Sequence, residues 1–328
     1  MARLAEFFET PLRNAVSAIA LVRCCTVVHH IDVVILASGQ KTETDRARHW
    51  TLMNNTNWSA EQVPLLHHPI GEETAFTPHA LIEAVKRARR LPDTAVPAVC
   101  VLEFDGDLTD WLVAGHVARP WPTWACFHTP MFAIDVDGET CGIVPRTIGG
   151  PYAVLVAEQL AASGARVIVG LTSAGRVRPD LPIPSVVVAT SAVRDEGTSY
   201  HYLPPQPTID APCAVVDCLY EELSRLGLPV TRGRVWTTDA PYRETRRQLE
   251  HHAGNDVLAV EMQAASLFAF SAARGTPAAV VAHVSNAVDH TGEPFDRGSD
   301  VEGGQLLNAI CRGASRFLRV GSFPVSPP

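Results

Sequence analysis

The sequence predicts an α/β fold: a single domain with a central mixed β-sheet flanked by helices. Three observations predict it. Beyond about residue 78, segments with helical periodicity alternate with short apolar runs. Several of those runs, such as AVCVLEF (98–104) and PAAVVAHVSN (277–286), are apolar almost throughout, the pattern of strands covered on both faces. Hydrophobic residues make up 46% of the 328 and charged residues 19%, a globular balance that can supply a large core.

The elements follow in order. Residues 1–52 carry CC, HH and no steady period. They read as an N-terminal extension that need not be native; a small helical element packed on the main domain is the rival reading. Residues 53–95 form a helical lead-in, 96–320 the main domain and 321–328 a tail. PHALIEAVKRARR (78–90) is helical, with basic residues at its C-terminal end, where the helix dipole favours them. A strand over 98–104 and a helix over 107–118 come next. MFAIDVDGETCGIVPRT (131–147) reads as a hairpin turning at Asp-Gly. A helix over 151–164 closes at Gly164. Strands are expected over 165–175, 184–193, 231–239, 257–262 and 277–286. Helices are expected over 211–227, 263–275 and 303–318.

Composition excludes several classes. Net charge is −8 and no basic block alternates with aromatics, so nucleic acid is not an expected partner. The eight cysteines show no CxxC and no Cys/His ligand spacing, which reads as reduced thiols in a cytoplasmic protein without a metal. The best apolar run, AVSAIALV at 15–22, is cut by Arg23, so no membrane association is expected.

Ligands of open α/β sheets bind beyond the carboxyl ends of strands. Five such ends carry polarity: FDGDLTD (104–110), GLTSAG (170–175), AVRDEGTSYHY (192–202), TTDAPYRET (237–245), and VEMQ with HVSN (260–263 and 283–286). Each alone reads more readily as a turn or a solvated loop. Five in one domain point to one shared cleft.

GGPYAVLVAEQLAASGA, the SAG loop, VRDEGTSYHYLPP, TTDAPYRET, VEMQAASLFAFSAARG and HVSN carry a resemblance. The chain from about 96 to 318 resembles the nucleoside phosphorylase superfamily, which includes purine and uridine phosphorylases and methylthioadenosine/adenosylhomocysteine nucleosidases. It is most similar to a bacterial uridine phosphorylase-like branch. The resemblance implies that Met262 packs on a sugar face, that Gln263 meets the sugar hydroxyls and that Glu261 anchors both. It implies further that Tyr202 stacks on the base, that Arg194 or Arg243 reaches the base carbonyls, and that Asn286 faces the leaving base. It implies no cofactor, and a homo-oligomer.

This sequence departs from the family pattern in three places. Gln263 stands where a glutamate is usual, which removes one acceptor oxygen from a diol site. Gly106 is kept, but Asp110 stands where the first phosphate-binding arginine is expected, and Gly170 where the second is. Phosphate requires cationic donors. The expectation is therefore cleavage of an N-glycosidic bond in a nucleoside-like substrate, with water somewhat favoured as acceptor. Asp110 would be the general base, and Thr172 and Ser173 would position the water. Two alternatives stay open. One is a phosphate-dependent uridine or purine phosphorylase, its phosphate held by backbone N–H groups at Gly106 and the TSAG loop and by a displaced arginine such as Arg146, Arg176 or Arg194. The other is a nucleoside-binding protein that has lost catalysis.

Overall fold

The computed structural model describes residues 63–288 and 299–320, so the assignments for 1–52 and 321–328 lie outside the described residues. In chain order the elements are α1 (Pro78–Arg89), β1 (Val99–Glu103), α2 (Asp107–Ala114), β2 (Arg119–Pro120), β3 (Phe132–Val136), β4 (Glu139–Pro145), α3 (Gly150–Ala162), β5 (Val167–Arg176) and β6 (Ser185–Asp195). They continue as β7 (Thr208–Asp210), α4 (Cys213–Leu223), β8 (Val230–Thr238), α5 (Arg246–Ala253), β9 (Val257–Glu261), α6 (Ala264–Arg274), β10 (Ala278–Ala287) and α7 (Asp300–Val320).

The strands form one mixed sheet in the order β10-β6-β8-β9-β5-β1-β4-β3-β2. β10 also pairs with β5, so the sheet closes on itself through β6, β8, β9 and β5. β1 runs parallel to both β4 and β5, and β5 runs parallel to β10. The antiparallel pairings β10–β6 and β5–β9 make the sheet mixed, as the sequence predicts. Every residue of β1 and β9 is buried, which explains the apolar runs that precede Glu103 and Glu261. Leu102, Phe104, Ile143, Ile168, Phe268 and Phe270 are among the largest fully buried side chains. Each such side chain contributes roughly 1.5–3 kcal/mol relative to exposure.

Local signals set the element ends. Thr77 caps α1, its hydroxyl oxygen accepting from the Ala80 N–H at 3.2 Å. Asp137 and Gly138 both have positive φ, 50° and 84°, as a two-residue hairpin turn requires. Gly275 ends α6 with φ of 72°. Three elements escape the sequence reading. β2 and β7 are too short to show a period. α5 buries none of its residues and so has no apolar stripe; its sequence mark is the Thr245–Gln248 capping box. The helix expected over 107–118 stops at Ala114, because Gly115 caps it and His116 turns the chain with φ of 57°. Among the described residues, no helix is long and apolar enough to cross a membrane, and no group of three His, Cys, Asp or Glu is placed to hold a metal.

Candidate active site

The carboxyl ends of β1, β5, β9 and β10 meet at two adjoining cavities. The larger, about 670 Å³, is lined by Met262, Gln263, Asn286, Ser173, Tyr242 and Glu244, among others. The smaller, about 420 Å³, reaches from Glu103 and Asp107 to His283 and the start of α7. Asp105, Thr172 and Ser173 line both.

One wall of the larger cavity is built by Glu261. This carboxyl is only 4% exposed, at the end of β9. One oxygen accepts from the Thr237 hydroxyl at 2.5 Å, the other from the backbone N–H groups of Gln263 and Ala264 at 2.6 and 2.8 Å. The Thr237 hydroxyl oxygen accepts in turn from the Ala265 N–H at 2.9 Å. From two residues before the N-cap Gln263, Glu261 therefore caps the start of α6, satisfying donors that a helix start leaves open. That capping role explains a carboxylate in an apolar segment. Burial outweighs the three donors and pushes its pKa up to about 7.

The cap fixes the two residues after it. Gln263 is 1% exposed, and its side-chain oxygen accepts from the Met262 N–H at 3.1 Å. The acceptor of the amide is thus engaged by the backbone, leaving its N–H donors for a ligand. Across the cavity, a bulge in β10 between Val284 and Asn286 turns Asn286 to the cavity wall. The Asn286 amide nitrogen donates to the Ser285 hydroxyl at 2.9 Å.

Carboxylates dominate the other side. Glu103, buried at the end of β1, accepts from the Gly106 N–H at 2.6 Å and from the N–H and hydroxyl of Thr109 at 3.3 and 2.9 Å. Burial raises its pKa despite those donors. Asp105 accepts from the N–H and the hydroxyl of Ser173, both at 3.2 Å. Neither cavity has a lysine or arginine among its described lining residues. A phosphate entering here would face like charges at close range. Two unit charges about 4 Å apart near a protein surface repel by about 4 kcal/mol.

Phe104 takes up the space beside Gly170. A Cβ at Gly170 would lie 2.7 and 2.8 Å from the Phe104 ring and 3.3 Å from Val280. Gly170 is thus required by packing, and no cationic side chain fits there without displacing the ring.

The structure brings together Glu261, Met262, Gln263, Asn286, Thr172 and Ser173. It separates others from them. Asp110, expected to be the general base, has a side chain 60% exposed, is ion-paired with Arg146 and lines neither cavity. Its position on α2 turns it toward Arg146, which packs over Gly106. Gly106, expected to hold phosphate through its N–H, spends that donor on Glu103. Arg194, expected at the base, is buried and donates to the Ser199 hydroxyl and to the carbonyls of Pro204 and Leu203, so it braces the loop after β6. Arg243 is exposed and does not line the cavity, although its neighbours Tyr242 and Glu244 do.

Tyr202, expected to stack on the base, lines neither cavity. Its hydroxyl donates to Glu158 on α3 at 2.9 Å, and its ring meets Phe270 edge-on with centroids 6.5 Å apart. Tyr202→Phe is therefore expected to cost about 1 kcal/mol of stability and to leave ligand affinity at the two cavities unchanged. A several-fold loss of affinity for a ligand of the larger cavity, measured by calorimetry, would restore Tyr202 to the site.

Sequence reasoning missed Asp105, Tyr242 and Glu244. Tyr242 stands fully exposed at the cavity mouth. Glu244 lines the cavity, and burial raises its pKa to about 7. The capping box was the available signal: a Thr245 cap places Glu244 at the end of the preceding loop, facing the strand ends.

A family model described as the phosphorylase superfamily matches residues 124–312, more than half of the chain. The chain belongs to the phosphorylase superfamily. The match begins after β1 and α2 and takes in Thr172, Ser173, Glu261, Met262, Gln263 and Asn286. Among curated relatives, the guanosine phosphorylase of Halorubrum lacusprofundi is 28% identical over 152 residues, 45% of this chain and 61% of that protein. The uridine phosphorylase of Salmonella typhimurium is 26% identical over 164 residues, covering 46% of this chain and 65% of that one. A DeoD-type purine nucleoside phosphorylase of Exiguobacterium sp. is 29% identical over 173 residues, 49% of this chain and 65% of the other. The chain thus spans just under two thirds of the length of these superfamily relatives.

Proposed function

We propose that this chain cleaves the N-glycosidic bond of a nucleoside. The observation that carries the reading is the larger cavity, which sets Met262 and the Gln263 amide on one wall and Asn286 on another. An apolar thioether suits a sugar face. The Gln263 donors suit sugar oxygens. Asn286 can donate a hydrogen bond to a leaving base and stabilise the charge that develops there.

Glu244 bears on the choice of base. A carboxylate lining the same cavity accepts from a ring N–H, which a 6-oxopurine or a pyrimidine such as uracil offers and adenine does not. The relatives named guanosine and uridine phosphorylase agree with that selection. Glu244→Gln is expected to raise KM for such a nucleoside about tenfold, roughly one charge-assisted hydrogen bond, with a smaller change for adenosine. Equal changes for both would remove Glu244 from base recognition.

The relatives' names support phosphate as the acceptor, and phosphorolysis is the better supported reading on that ground. One observation on this chain favours water: the described lining residues offer carboxylates and no lysine or arginine. Release of free base from a nucleoside panel, with and without phosphate, tests the proposal. Sugar 1-phosphate formed only with phosphate marks the phosphorylase, and free sugar without phosphate the hydrolase. No turnover of any nucleoside would overturn both and leave a binding protein.

A further inference from the structure

We infer that Asp105 sets which nucleophile this site accepts: its carboxylate occupies the Ser173 donors and so excludes an anion while admitting a neutral acceptor. The inference rests on the reading of the site as one for glycosidic cleavage, and extends it to the acceptor. Backbone N–H groups and hydroxyls gathered at strand ends are the elements of an anion nest. This chain has such donors in Ser173, at the wall between the two cavities, and in the turn after β1.

Each of these donors is already taken by a carboxylate of the same chain. Asp105 closes the Ser173 N–H and hydroxyl, both at 3.2 Å. Glu103 closes the Gly106 and Thr109 N–H groups. The two carboxylates differ in accessibility. Glu103 is buried in the turn that it builds, whereas Asp105 is exposed to the cavities. Asp105 is therefore the group an incoming acceptor meets. Its charge repels phosphate, and its geometry leaves a carboxylate beside the Ser173 hydroxyl that can accept a hydrogen bond from water.

The test uses the full chain and inorganic phosphate as the probe. Thermal unfolding is followed with and without phosphate, at ionic strength matched by potassium chloride, for the unaltered protein and for Asp105→Ala. The expected result is no phosphate-dependent shift in the unaltered protein and a rise in Tm of a few degrees in Asp105→Ala, because a ligand that binds only the folded state stabilises it. Asp105→Asn, which removes the charge and keeps the shape, provides the same reading where the alanine variant does not fold. In the same samples, the share of product released as sugar 1-phosphate is expected to rise at least tenfold over the unaltered protein. A phosphate shift in the unaltered protein as large as in the variant would overturn the inference. So would the absence of a shift in both variants. The Tm readout needs no turnover, so a protein that binds phosphate only without Asp105 yet releases no base would refute the nucleoside reading and leave the role of Asp105 standing.

Discussion

Gly170→Arg is expected to lower Tm by roughly 2–12 °C or more, because the new side chain begins where the Phe104 ring already lies. Even alanine must push aside ring carbons 2.7 and 2.8 Å from its Cβ, with Val280 at 3.3 Å behind. Overpacking of this kind costs about 1–3 kcal/mol, and arginine adds a charge to desolvate. In a domain of this size each kcal/mol moves Tm by roughly 2–4 °C. Phe104→Ala alone is expected to cost about 3–5 kcal/mol, since the ring is fully buried. The two changes touch the same space, so the double variant is expected to be more stable than the sum of the single losses by 1 kcal/mol or more. Strict additivity, measured by thermal or urea unfolding, would mean that Phe104 does not fill the site of the side chain absent at 170.

Glu261 is expected to give a large pH effect on stability. Its pKa in the folded protein is raised from 4.5 to about 7, chiefly by burial. Below the unfolded value the carboxyl is protonated in both states, and its contribution to stability is fully present. As pH rises, the unfolded chain ionises first, and the contribution is lost progressively until pH passes the folded value. The loss is on the order of 3 kcal/mol. Glu261→Gln cannot ionise and keeps an acceptor for the α6 N–H groups. Its stability relative to the unaltered protein is therefore expected to improve by roughly 3 kcal/mol between about pH 4.5 and pH 8. A constant difference across that range would show that Glu261 does not titrate there. Glu261→Ala removes the acceptor altogether. It is expected to destabilise at every pH and to abolish base release, because Met262 and Gln263 lose the anchor that orients them.

Much of this was legible in the sequence wherever an effect is local. β1, β5 and β10 announce themselves because their first four or five residues are covered on both faces and run apolar before the polar carboxyl ends. The Asp137–Gly138 turn is legible because its backbone conformation restricts the residues it accepts. Met262, Gln263, Asn286, Thr172 and Ser173 follow from the rule that strand ends carry function. What failed to show was contact across long sequence separations. Asp105 and Ser173 are 68 positions apart, and nothing in FDGD announces the partner. Tyr202 is drawn out of the cavity by Glu158, 44 positions earlier. Asp110 is drawn to Arg146, 36 positions later. Arg194 is placed at the base by the resemblance, yet the loop after β6 consumes its donors. Closure of the sheet into a ring, through the β10–β5 pairing, is likewise a long-range event that periodicity does not encode.

Asp105, Thr172 and Ser173 stand between the two cavities as a party wall. Two molecules held on either side of it are thermodynamically linked. An occupant of the smaller chamber that turns the Asp105 carboxylate changes the affinity of the larger chamber for its own guest. Reciprocity requires the guest to change the occupant's affinity by the same factor. For any such pair of guests, the sign of the coupling is set by whether both draw Asp105 the same way or in opposite directions.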